Sequence, residues 1–100
     1  MIVIKDREYY TKKLRRQARR CHGLRGRELL DAMQLFVNTV FEAKRNPSLQ
    51  MIDHQDFVTF VDLAHTIMYA TRFKKWTKKS EQNLQYLLKY TGNEDLAKLD

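Results

Sequence analysis

ELLDAMQLFVNTVFEAKR, residues 28–45, decides the fold class of this 100-residue chain. Leu29, Leu30, Met33, Phe36, Val37, Val40 and Phe41 recur at the 3-4 spacing of one helix face, sustained over more than three turns. Glu28 and Asp31 lie near its start and Lys44 and Arg45 at its end, as the helix macrodipole prefers. Asn46-Pro47 then stops it. A helix with so regular an apolar stripe needs other amphipathic helices to cover it.

The flanking sequence supplies them. Upstream, Asp6 is the expected N-cap of a helix reaching about Cys21, with Tyr10, Leu14, Ala18 and Cys21 as a narrow apolar stripe. Gly23 is the expected left-handed residue ending that helix. Downstream, Asp53 caps a third helix whose stripe is Phe57, Phe60, Val61, Ala64, Ile67, Met68 and Thr71. Val58, Leu63 and Tyr69 widen that stripe, which places this helix either at the centre of the bundle or against a partner. The apolar pattern allows it to run on through Phe73 and Trp76. Ser80 is the expected N-cap of a fourth helix with Leu84, Leu87 and Leu88 inward, ending at Thr91-Gly92. Asn93 caps a final short turn holding Leu96 and Leu99. Apart from an extended Ile2–Ile4, no stretch reads as strand. The expected fold is all-α, a single-domain bundle of four to five helices over residues 1–100.

Composition narrows the class further. Cys21 is the only cysteine, which excludes an intramolecular disulfide and points to a reducing, cytoplasmic setting. No apolar run approaches the length of a membrane span, and Met1–Ile4 is too short for a signal peptide. The formal net charge is +7, and it is segregated. Residues 5–27 carry ten Lys/Arg against Asp6 and Glu8, and residues 72–79 carry five with no acid. The remaining segments are net acidic. Six of the nine residues 12–20 are basic, too one-sided for an ordinary solvated face, where signs mix. The expected partner is therefore a polyanion, nucleic acid above all.

The residues expected to hold it are Lys12, Lys13, Arg15, Arg16, Arg19, Arg20, Arg25 and Arg27 in the first block. Arg72, Lys74, Lys75, Lys78 and Lys79 form the second. Arginine forks suit phosphate oxygens, and the lysines act as point charges. Tyr69, Phe73 and Trp76 interleave with the second block at i, i+4 and i+7, the pattern of a base-stacking platform. The apolar stripe of the third helix assigns Tyr69 and Phe73 to the core, which leaves Trp76 as the stacking candidate.

Catalytic and metal chemistry find little support. His22, His54, His65 and Cys21 lack zinc-site spacing, and no metal or other cofactor is expected. Asp53 and Asp56 share a helix face but Asp62 does not, and capping accounts for the first two. No nucleophile elbow or phosphate-cradling glycine loop is present, so the chain reads as non-enzymatic. A helix-turn-helix over residues 10–40 is the alternative. Its reading helix would present Asp31, Gln34, Asn38 and Glu42, an acidic face that phosphate repels. A third possibility is a protein-interaction module that sets its basic face on an acidic partner.

FVTFVDLAHTIMYATRFKKW, Phe57–Trp76, is an apolar helix followed by Tyr69-Ala70 and a basic run. With the size, helical plan and charge of the chain, it resembles the small subunit of CRISPR effector complexes of the Cascade and Csm types. The resemblance implies copies lying side by side in a guide-RNA ribonucleoprotein, with other subunits as neighbours. There they support the guide–target duplex or the displaced strand through backbone contacts, while base pairing selects sequence. The arginine density of the first helix departs from that pattern and leaves a free-standing nucleic-acid binder open.

Overall fold

The structure, a computed structural model, describes residues 4–49 and 52–89. They form four α-helices: α1 (Arg7–His22), α2 (Gly26–Lys44), α3 (His54–Arg72) and α4 (Lys78–Lys89), with a single 3-10 turn at Pro47–Leu49. The all-α bundle expected from periodicity is what forms. The expected strand at Ile2–Ile4 and the helix end and short turn beyond Lys89 lie outside the described residues, apart from Ile4, which is exposed.

Each helix packs on its sequence neighbours, and α4 closes the ring on α1. The chain runs up and down. Tyr10 near the start of α1 donates its hydroxyl to Glu42 near the end of α2, at 2.8 Å. Phe41 late in α2 meets Phe57 early in α3 edge-to-face, ring centroids 5.2 Å apart. Short connections between antiparallel neighbours are the economical way to bury amphipathic stripes.

The stripes are largely those of the sequence. Tyr10, Leu14, Ala18 and Cys21 are the buried residues of α1, and Leu84, Leu87 and Leu88 of α4 turn inward. In α2 the small residues Ala32, Thr39 and Ala43 join the stripe, while Leu30 and Phe41 are only half-buried. Phe36 and Phe60, both fully buried, pack edge-to-face at 5.6 Å across the α2–α3 seam. The α3 stripe is narrower than its sequence suggests. Phe60, Ala64, Ile67 and Ala70 are buried, whereas Val58 and Tyr69 are exposed, so α3 is a peripheral helix with an open outer face.

The helix ends carry three corrections. Asp6 and Asp53 do cap α1 and α3, accepting from the amides of Tyr9 and Asp56 at 2.9 and 2.8 Å. Gly23, however, has φ −92°, and the left-handed glycine is Gly26, at φ +66°. The cap of α4 is Thr77 rather than Ser80. Thr77 Oγ1 accepts from the Ser80 amide, and Ser80 Oγ accepts from the Thr77 amide, both at 3.2 Å. This reciprocal capping box leaves Ser80 buried in the first turn.

The third correction bears on the site. Helix α3 does not continue through Trp76 but stops at Arg72, with Phe73 as C-cap. The Lys75 amide reaches the Ala70 carbonyl at 2.8 Å and the Lys74 amide the Thr71 carbonyl at 3.4 Å, a Schellman motif. Lys74 occupies the left-handed position at φ 54°, where glycine is the usual residue. An L-residue there costs about 1–2 kcal/mol, offset in part by the greater unfolded-state freedom of glycine. Lys74→Gly is therefore expected to raise stability by about 0.5–1 kcal/mol in a denaturant melt. A lower stability would show that the lysine side chain has a folding role that outweighs its backbone.

Candidate nucleic-acid interface

Antiparallel chaining decides where the charge goes. The last turn of α1, the first of α2, the last of α3 and the first of α4 all meet at one end of the bundle. That end receives the second basic block and the C-terminal part of the first, although some fifty residues separate them in the sequence. It carries Arg19 and Arg20 from α1, Arg25 from the α1–α2 connection, Arg27 from α2, Arg72 from α3, Lys74 and Lys75 from the α3–α4 connection, and Lys78 and Lys79 from α4. Lys12, Arg16, Arg19 and Arg20 extend it along the outer face of α1, all exposed. Lys13 and Arg15 are half-buried on the flanks of that row.

An open groove of about 550 Å³ lies between the start of α2 and the end of α3. Arg27 comes from the first block and Arg72 and Lys74 from the second, with Thr71 and Gln34 alongside and Asp31 as the one carboxylate among the described residues. Helix α2 begins at this groove, and no side-chain cap bonds its first amides. Three cations against one carboxylate beside the positive end of a helix make the groove attractive to a phosphate.

The basic side chains divide into engaged and free. Lys12 pairs with Glu8 at 3.0 Å, a highly exposed i,i+4 contact. Lys13 lies over the Tyr9 ring, 5.7 Å from its centroid. Lys75 lies over Tyr69 at 5.7 Å. Among the described residues, the side chains of Arg16, Arg19, Arg20, Arg27, Arg72, Lys74, Lys78 and Lys79 have neither hydrogen bond nor ion pair. Unpaired surface cations give up no internal partner when they meet phosphate.

Arg25 is different. Its Nε donates to Glu81 Oε2 at 3.0 Å and a second guanidinium nitrogen donates to Glu81 Oε1, a bidentate pair. Trp76 Nε1 donates to the same Oε2 at 3.1 Å, and the guanidinium sits 5.9 Å from the Trp76 ring centroid. The Trp76 ring is itself half-buried against the core. These three residues pin the α1–α2 connection to the start of α4. Arg25 and Trp76, both expected to touch nucleic acid, thus have intramolecular partners, and the guanidinium lies over the ring.

The Arg25 hydrogen bonds hold the Glu81 carboxyl below its ordinary value of 4.5. A carboxyl lowered on folding stabilises the native state above its unfolded value, and that stability is lost as pH falls through the lowered one. Trp76 is the only tryptophan, so its emission reports this cluster. Emission is expected to hold steady from neutrality to about pH 5 and to change only below 4.5, while far-UV circular dichroism stays native. Glu81→Gln should remove that step. A transition centred above 4.5, or one unaffected by the substitution, would assign it to another group.

The aromatic assignment reverses the expectation from sequence. Tyr69 and Phe73, placed in the core by the apolar stripe, are 54% and 55% exposed. Their ring centroids lie 4.7 Å apart, tilted by 44°. The signal was in the helix angle: Tyr69 lies roughly 180° around α3 from Phe60, on the face opposite the buried stripe. Residues of α3 counted only as apolar or polar conceal this.

At the far end, Glu42 accepts from Tyr10 and from Lys5, the latter at 3.3 Å, and these bonds hold its carboxyl below 4.5. Its charge is thus already matched. Among the described residues, no three His, Cys, Asp or Glu side chains group closely enough to hold a metal ion, and no helix is long and apolar enough to cross a membrane. No protein-family model, curated protein or solved structure matches this chain.

Proposed function

We propose that the chain is a non-catalytic binder of nucleic-acid backbone that responds to charge and not to sequence. The observation that supports this most is the gathering of two separate basic blocks at one end of the bundle, with most of their side chains unpaired. Contacts of this kind go to phosphate oxygens, which fix position and carry no base information. The alternative of a reading helix in the major groove is disfavoured by α2, whose exposed face carries Asp31, Gln34 and Asn38. The narrower reading, a small subunit of a CRISPR RNA-guided complex, draws its support from the resemblance of Phe57–Trp76 and the helical plan.

Labelled oligonucleotides of unrelated sequence, titrated between 50 and 200 mM salt, test the broader reading. Affinity should fall linearly on a log–log plot, by about 0.7–0.9 per phosphate contact, alike for every sequence. A strong preference for one sequence, or no binding at the lower salt, would overturn it. Gentle purification from the native source tests the narrower one, which requires a large particle carrying a short RNA of uniform length.

A further inference from the structure

We infer that the basic end carries a base-stacking platform for single-stranded nucleic acid, built from Tyr69 and Phe73. The inference rests on the backbone-binding reading of the same surface and adds the form of the strand. Both rings are more than half exposed, an unusual state for two adjacent large side chains on a small bundle. What surrounds them identifies the occupant. Arg72 and Lys74 flank Phe73 in the chain and line the groove, while Lys75 holds its ammonium 5.7 Å from the Tyr69 ring centroid.

The Schellman turn produces this arrangement. The left-handed Lys74 sends consecutive lysines to different places, Lys74 to the groove and Lys75 over the aromatic pair. The paired rings therefore lie beside the cations, as bases lie beside phosphates along a strand. An apolar protein partner would meet the charges of Lys75 and of the neighbouring Arg72 and Lys74. Duplex DNA, with its bases stacked inside, would use the cations and leave the rings idle. A cation over a ring at an exposed site is held weakly, so a base can displace Lys75 and leave its ammonium for the next phosphate.

The experiment compares three probes of equal length: a labelled oligothymidylate, an abasic oligonucleotide and a duplex. The double variant Tyr69→Ala/Phe73→Ala is expected to lose about ten- to a hundredfold in affinity for oligothymidylate. Its affinity for the abasic strand and the duplex should be unchanged, and Tyr69→Phe should bind oligothymidylate as the parent does. Because both side chains are largely outside the core, the thermal melt of the variant should match the parent. Equal losses on the abasic strand, or no loss on oligothymidylate, would overturn the platform. So would a dimer in sedimentation that the double variant dissociates, which would give this face to a second copy. Failure of the parent to bind any probe would sink the backbone reading itself. Binding of all three undiminished by the variant would sink the platform alone.

Discussion

Replacing Arg27, Arg72 and Lys74 together by glutamine is expected to lower the proposed affinity for nucleic acid by on the order of a hundredfold, and to flatten the log–log salt slope by about two to three units. The three side chains line one groove, and none has an ion pair or hydrogen-bond partner among the described residues. Each is free to contact one phosphate, so each lost contact removes its share of released counterions. The matched comparison is Lys5→Gln, Arg7→Gln and Arg45→Gln, which removes the same formal charge from the opposite end. Helix α2 has 19 residues, which puts the two ends about 28 Å apart. That is several times the ~8 Å screening length at physiological salt, so the distant charges act weakly on a phosphate in the groove. Lys5 also loses its Glu42 partner, but an exposed pair of this kind contributes ~0–1 kcal/mol and does not endanger the fold. Equal losses from the two triple variants would mean that net charge alone drives binding. The groove would then have no special standing, and the proposed interface would be wrong.

How much of this could be read from the sequence differs by element. The stripes of α1 and α4 were legible because large apolar side chains at helical spacing have few other uses. Ala32, Thr39 and Ala43 were not, since small residues give no hydropathy signal even when they sit in a seam. The end of α3 was hidden because a lysine stands where a glycine would have announced the stop. Ser80 was the expected cap of α4, and only the reciprocal hydrogen bonds show that Thr77 takes that place, three residues earlier. The charge blocks themselves were plain. Their meeting at one end was not, because it follows from the up-and-down packing of four helices rather than from either block. The pairing of Arg25 with Glu81 was likewise beyond reach, since it joins positions 56 residues apart.

The proposed interface depends on the helices staying packed, so the largest effect of all should come from a residue outside it. Phe60 is fully buried on α3 and meets Phe36 of α2 edge-to-face at 5.6 Å. Phe60→Ala removes the ring, opens a cavity at the seam and discards the aromatic pair, for a loss of about 3–5 kcal/mol. Against a total of about 5–15 kcal/mol for a domain of this kind, that is a large fraction. The melting temperature should fall by about 12–40 °C, at roughly 4–8 °C per kcal/mol. A fall of only a few degrees would mean that the seam collapses around the missing ring. Cys21 gives an independent readout. Its thiol is fully buried, and burial pushes its pKa up to about 11, so the native protein should resist thiol reagents at neutral pH. In Phe60→Ala, warming should expose the thiol and abolish nucleic-acid binding over the same temperature range, because both depend on one cooperative fold. The groove variants should behave in the opposite way, losing affinity with the thiol still protected. That contrast separates damage to the surface from loss of the scaffold that assembles it.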